Sequence, residues 1–154
     1  MSIVRKILLG SILVVVLGVL AVPVFAQDNT RTLTEQQINS AYRVTNPARR
    51  SITNVHVDLQ PGQVVISATL TYRRGNPIQT STVLVPSVSN GRIYWTVTSA
   101  TANGQPASAE LLAQINTSIT TSWRNYVRQQ APTGRVSGIE ITDTDLTVTF
   151  AASA

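Results

Sequence analysis

The sequence has no cysteine, a single histidine and few charged residues, with only 12% of its residues Asp, Glu, Lys or Arg. The absence of cysteine excludes disulfide bonds and lipid attachment at a thiol, so the fold must be stabilised by its core alone. No cluster of His, Cys and carboxylate residues has the spacing of a metal site, and no phosphate-binding loop is present. We therefore expect a non-enzymatic protein without cofactor or metal.

Residues 1–26 have the pattern of a signal peptide rather than of a folded element. Arg5 and Lys6 supply the positive start, an apolar run covers residues 7–22, and Ala26 is the small residue that typically precedes cleavage. We therefore expect the protein to be exported.

An uncleaved membrane anchor is the alternative, because residues 7–25 are just long enough to span a bilayer. In either case we expect residues 27–32 to be a loose leader and residues 33–154 to form a single domain. Without Arg5 and Lys6 the formal charge falls from +5 to +3, which is too small and dispersed to indicate nucleic-acid binding.

One long amphipathic helix is predicted over residues 108–130, which at about 1.5 Å per residue gives roughly 34 Å. Polar residues such as Thr120 and Arg124 are expected to turn away from its apolar face. That face is made of apolar residues at helical spacing: Leu111, Leu112, Ile115, Ile119, Trp123, Tyr126 and Val127.

The rest of the chain reads mostly as strand, after a short helix that Thr34 caps together with Gln37. The predicted fold is α+β: a curved antiparallel sheet, made of a four-strand meander plus a C-terminal hairpin, wrapped on one long helix, with a short N-terminal helix. The alternating segments are residues 52–59, 64–73, 78–88 and 92–102 for the meander, and 136–142 and 146–151 for the hairpin.

The turns predict the strand registers, but they conflict on the third strand. The loop at residues 75–76 turns Val83 towards the core, whereas the Asn-Gly turn at residues 90–91 turns Leu84 towards it. A β-bulge near residues 85–86 would resolve the conflict, and bulges bend sheets. The Pro-Gly turn of the first hairpin predicts three apolar pairs: Leu59 with Val64, Val57 with Ile66 and Val55 with Ala68.

Few side chains suggest chemistry. His56 shares a strand face with Asp58 and lies across from Ser67, but a catalytic triad also needs a constrained nucleophile turn, an oxyanion hole and a cleft. We favour a polar outward face, with a hydrolase using His56 as a remote alternative. Asp143 and Asp145 are interpreted as a hairpin turn, because a calcium loop needs more oxygen ligands.

A group of arginines is expected at one end of the first two strands. We favour a solvated strand end kept soluble by charge. The alternative is a contact surface for anionic lipid headgroups or polymer. The group, called the arginine rim below, consists of Arg49, Arg50, Arg73 and Arg74.

Four stretches carry a resemblance to a known family: LTEQQIN at 33–39, LQPGQVVI at 59–66, SNGRI at 89–93 and NGQPA at 103–107. Followed by a long helix and a closing hairpin, they resemble small secreted bacterial proteins of the mannan-elongation lipid-binding type, which belong with the tubular lipid-binding proteins. The resemblance implies a curved sheet around a long helix and an apolar groove for acyl chains. It brings no catalytic residues.

We therefore expect an exported lipid- or amphiphile-binding protein, with an anionic membrane surface as its candidate second partner. The alternative is an extracytoplasmic scaffold module that binds protein or anionic wall polymer through its surface. The side chains expected to line the groove are apolar or aromatic and come from the sheet and the helix: Ile66, Leu70, Tyr72, Trp95, Val97, Ile115, Ile119 and Trp123.

Overall fold

The computed structural model describes residues 29–130 and 134–152, so the predicted signal peptide lies outside the described residues. Within these residues no helix is both long and apolar enough to cross a membrane. In chain order the elements are β1 (Thr30–Thr34), α1 (Glu35–Ala41), β2 (Arg50–Gln60), β3 (Gln63–Tyr72), β4 (Ile78–Ser89), β5 (Arg92–Ala102), β6 (Gln105–Pro106), α2 (Ala109–Ile115), a π-helical segment (Asn116–Thr120), α3 (Thr121–Gln130), β7 (Val136–Ile141) and β8 (Asp145–Phe150).

The described residues form an α+β fold with two antiparallel sheets, a short helix and a long one. One sheet has the order β2-β3-β4-β5-β6 and the other the order β1-β8-β7. The α+β class is therefore confirmed, but the C-terminal hairpin forms a second sheet instead of extending the meander. β7 meets the turns of the larger sheet, where Gly62 N donates to the Ile141 carbonyl and Val136 N donates to the Gly91 carbonyl, both at 3.0 Å.

The second sheet recruits residues that were predicted to be a loose leader. Thr30–Thr34 pairs with β8 along its whole length, with Leu33 opposite Leu146. Leu33 and Leu146 are both buried, and this apolar pair accounts for the ordering of an otherwise polar strand. The leader prediction for residues 27–32 is therefore wrong for the last three of them.

The first hairpin follows its predicted register only near the turn. The two pairs closest to the turn form as predicted, but the pairing of Val55 with Ala68 is wrong, because a bulge lies between Thr53 and His56. Asn54 adopts a left-handed conformation within this bulge (φ 50°) and donates a side-chain hydrogen bond to the Thr69 hydroxyl at 3.3 Å. A short polar side chain that tolerates positive φ thus breaks the ladder.

The third strand has no bulge at residues 85–86. Instead, Thr82 and Leu84 face the core, so that a threonine takes a buried position that an apolar residue was expected to fill. Leu84 pairs with Val64 and with Val97, and Thr82 pairs with Ile66, so the prediction that Val83 faces the core is wrong. The register set by the Asn-Gly turn is confirmed. The bulge of this strand pair lies instead in β5, which has one extra residue between the partners of Val83 and Leu84.

The long helix begins where predicted, with Ser108 accepting a hydrogen bond from Leu111 N at 3.3 Å. The π-helical segment was not predicted. It turns Thr120 into the core, where this residue is fully buried, so its predicted outward position is wrong. Hydroxyl groups that bond to backbone carbonyls compete with the regular helix ladder and favour the wider turn. These bonds run from Thr117 to Ala113, from Ser118 to Gln114 and from Thr121 to Asn116.

Side chains of α1 cover the outer edge of β2. Asn39 accepts a hydrogen bond from Val57 N at 2.8 Å and donates one to the Val57 carbonyl at 2.7 Å, so that it replaces a neighbouring strand. Glu35 accepts from Leu59 N at 2.8 Å. The cover protects an edge that would otherwise be free to pair with another chain.

Candidate functional site

A groove of about 610 Å³ lies beside α3. The end of α3, the start of β5, the start of β7 and the end of β8 converge there, so both sheets and the long helix contribute walls. The lining residues are Gly91, Arg92, Ile93, Trp95, Arg124, Asn125, Val127, Arg128, Gly134, Val136 and Phe150. We call this space the α3 groove.

The floor of the α3 groove is apolar and held rigidly. Trp95 is only 5% exposed, and its ring packs edge-on against Trp123 with 5.4 Å between the ring centroids. Trp123 in turn contacts Tyr42 and Tyr126, at centroid distances of 5.5 and 5.9 Å. This aromatic group fixes the orientation of Trp95. The other apolar lining residues are Ile93, Val127, Val136 and Phe150.

The remaining large side chains of the groove are cationic. Arg124 Nη2 donates to the Trp95 carbonyl at 3.0 Å, which holds the guanidinium across the edge of β5. Arg128 lies one helical turn further on and donates to Asn125 Oδ1 at 3.0 Å, and Arg92 is exposed at the start of β5. Among the described residues that line the groove, none is acidic.

A fourth arginine packs over the turn that enters β5. Gly91 has φ +75°, and a Cβ built on it would lie 3.1 Å from both Cβ and Nε of Arg135. The space that glycine leaves open is therefore used by this side chain, which crosses beside the groove. Since Asn90 also has positive φ (52°), the Asn-Gly pair has the conformation of a tight hairpin turn.

The predicted lining and the observed groove overlap at Trp95. The other predicted residues lie on the inner faces of the long helix and the larger sheet, where Ile66, Leu70, Ile115, Ile119 and Trp123 are buried in the core and Tyr72 and Val97 pack against it half-buried. The second cavity lies in this region and measures only about 10 Å³. The centre of the helix–sheet interface is thus packed, and the open volume lies towards its α3 end.

Sequence reasoning missed most of the groove because the second sheet forms part of it. A partial signal was present: Arg124 and Arg128 are four residues apart on one side of the predicted helix. The turn at residues 90–91 also places Arg92 at the start of a strand. Only the packing of β7 and β8 against this end brings these residues around one space.

The register of β2 and β3 gathers the arginine rim at the opposite end of the larger sheet. Arg50 pairs with Tyr72, so Arg49 lies near Arg73 and Arg74. Arg50 is half-buried and the other three arginines are exposed. The sequence-derived placement of these four residues is therefore reproduced, while their role stays a prediction.

The residues considered for catalysis lie on the outer face of the same hairpin. His56 is exposed and pairs with Ser67, whereas Asp58 accepts a hydrogen bond from Gln60 Nε2 at 2.7 Å. Asp145 accepts from the neighbouring Thr144 hydroxyl at 2.7 Å within the last hairpin turn. Across residues 29–130 and 134–152, no three side chains of the metal-binding types are grouped so that they could hold an ion.

Two buried tyrosines join the elements behind the groove. Tyr42 donates its hydroxyl to the Ile119 carbonyl in the π-helical segment at 3.0 Å, and burial raises the pKa of this hydroxyl well above its ordinary value. Burial also raises the pKa of Tyr126, and the positive charge of Arg31 partly offsets this effect. Burial thus favours the neutral, protonated form of both hydroxyls.

Comparison with known proteins indicates no function for this chain. The stretches that resemble mannan-elongation lipid-binding proteins lie at α1, at two hairpin turns and before the long helix, and their implication for function stays a prediction. No family model, no curated protein and no solved structure matches the chain.

Proposed function

We propose that the chain is an exported, non-enzymatic protein that binds a lipid or another amphiphile in the α3 groove. One observation carries the proposal: an open volume of about 610 Å³ with an apolar floor remains beside a core that is otherwise packed. Pockets for small ligands commonly measure roughly 300–1,000 Å³ and combine an apolar lining with a few polar groups. The α3 groove has both properties.

The groove lies at the α3 end of the interface between the long helix and the larger sheet, where a curved sheet would separate from the helix. Bulges in β2 and β5 interrupt the larger sheet, and bulges bend the strands that contain them. This supports a sheet that curves over the long helix, close-packed at its centre and open at the α3 end. We therefore assign the ligand's apolar part to Ile93, Trp95, Val127 and Phe150, rather than to the central residues of the predicted lining.

A substitution that fills the groove tests this assignment. Ile93 is half-buried and lines the groove, so Ile93→Trp should weaken amphiphile binding at least tenfold by occupying the apolar floor. Ile78 is also a half-buried strand isoleucine that packs against the core, but it lines neither cavity, and Ile78→Trp is the matched control. Binding can be measured by isothermal titration calorimetry, because each variant adds a tryptophan that would obscure the fluorescence of Trp95. Equal affinities of both variants and the wild type would contradict the proposal.

A second candidate function is a scaffold module that contacts an anionic surface or wall polymer. It is favoured by the gathering of the arginine rim at one end of the larger sheet. Each charge near an anionic surface contributes up to about 1 kcal/mol, and salt screens this attraction. If this function holds, changing all four rim arginines to serine should abolish salt-sensitive binding to anionic vesicles. Unchanged binding would exclude it.

A further inference from the structure

We infer that the α3 groove selects amphiphiles with an anionic head group, a carboxylate or a phosphate, which the arginines at its mouth hold. The inference rests on the proposed function and adds the chemical class of the ligand. It also assigns an orientation, with the head group at Arg92, Arg124 and Arg128 and the chain along the apolar floor.

The charge around the groove is of one sign. Three arginines line it, Arg135 packs over Gly91 beside it, and none of the described lining residues is acidic. Several carboxylates of the chain are engaged elsewhere: Glu35 bonds the edge of β2, and Asp58 accepts from Gln60. A cationic or neutral head group would leave the groove's like charges uncompensated, whereas an anionic one neutralises them.

The hydrogen-bonding capacity of the arginines fits the same ligand. A guanidinium has five N–H donors in a planar fork that matches the oxygens of a carboxylate or a phosphate. Arg124 uses Nη2 to bond the Trp95 carbonyl, which anchors it beside the apolar floor, and its other N–H groups donate to no acceptor among the described residues. The positive charge of Arg124 and the apolar floor of the groove therefore lie next to each other at Trp95, which is the arrangement that an amphiphile requires.

The test compares probes that share one chain and differ in head group. Hexadecanoate and hexadecyl phosphate are the anionic probes, hexadecanol is the neutral one and hexadecyltrimethylammonium the cationic one, each kept below its aggregation concentration. We expect both anionic probes to bind at least about tenfold more tightly than the other two, with a preference that falls as salt is added. Inorganic phosphate should compete only weakly, because it lacks the chain. Strong binding of phosphate alone would overturn the inference by making this an ion site.

Charge-matched variants separate the groove from the overall charge of the protein. Arg92→Gln, Arg124→Gln and Arg128→Gln together should reduce affinity for the anionic probes at least tenfold and change affinity for hexadecanol less than twofold. The control variant replaces three exposed rim residues by glutamine, Arg49, Arg73 and Arg74. It should leave both the affinity for the anionic probes and the affinity for hexadecanol unchanged.

The outcomes distinguish this inference from the proposed function. If the triple variant is unstable, Arg92→Gln alone tests the inference, because this side chain is exposed. This single variant should reduce the affinity for the anionic probes about threefold. Equal affinity for all head groups, or an equal loss in the rim control, would overturn the inference and leave the groove as an amphiphile site. Binding of no probe at all would overturn the proposed function as well.

Discussion

Replacing Gly91 by alanine tests whether the turn that enters β5 positions Arg135 beside the groove. Gly91 has φ +75°, and the added Cβ would lie 3.1 Å from two atoms of Arg135 and 3.3 Å from a third. The turn at Gly104 provides a matched control. Gly104 also follows an asparagine of positive φ, has φ +77°, and has no heavy atom within 4 Å of its added Cβ.

The expected magnitudes follow from this difference. Alanine in the left-handed conformation costs roughly 1–2 kcal/mol, and both variants should lose this much unfolding free energy. Gly91→Ala should lose up to about 1 kcal/mol more, the low end of the cost of overpacking, because the exposed Arg135 must shift to admit the added atom.

Urea unfolding followed by the fluorescence of Trp95 and Trp123 measures both losses, since both side chains are buried in the native protein. Gly91→Ala should also weaken the binding of anionic amphiphiles several-fold, whereas Gly104→Ala should leave it unchanged. Equal losses of stability in the two variants would refute the role assigned to the contact between Gly91 and Arg135.

Three further predictions concern the stability of the fold. Asn39→Ala should lower the unfolding free energy by about 2–3 kcal/mol, because it removes both hydrogen bonds to the β2 edge, and denaturant unfolding should show a much smaller loss for Ser40→Ala on the same helix. The raised pKa of Tyr42 stabilises the fold fully below pH 10 and less as pH rises towards the folded-state value. The wild type should therefore lose about 1.4 kcal/mol more per pH unit above pH 10 than Tyr42→Phe, and parallel stability curves of the two proteins would contradict this. Thr82→Val should raise the melting temperature, because the Thr82 hydroxyl is buried without a partner in the described part of the chain, whereas Thr80→Val should lower it by removing a bond to a backbone carbonyl; a loss in both would show that the Thr82 hydroxyl is satisfied.

Local chemistry made much of the fold predictable from the sequence. The capping box of Thr34 and Gln37 forms as predicted, and Ser108 begins the long helix. Asn90 and Gly91 form the positive-φ turn that sets the register between β4 and β5. Each of these features depends on residues within a few positions of one another, so the sequence pattern contains the whole cause.

Non-local contacts account for the features that were not predicted. Leu33 orders β1 only because Leu146, more than a hundred residues later, lies opposite. Thr82 enters the core because Ile66 sets its register from a neighbouring strand, although its residue type is typical of a surface.

The candidate site was the least predictable feature, for the same reason. The periodicity of the long helix identifies most of its buried face but misses Thr120, and it contains no information on how closely a sheet packs against it. The groove lies between Phe150 and Val136 of the second sheet and Val127 of the helix, all three of which line it. That arrangement depends on how β7 and β8 dock, which turn signals and alternation do not encode.

Native mass spectrometry of the protein, purified gently from an exporting host, tests the central claim most directly. The proposed function predicts an adduct of one amphiphile per chain that is extracted into organic solvent, and the further inference predicts that its head group is anionic. The same measurement on Ile93→Trp should show the adduct lost or strongly reduced. A wild-type protein that carries no adduct, and takes up none when amphiphiles are offered, would contradict the account.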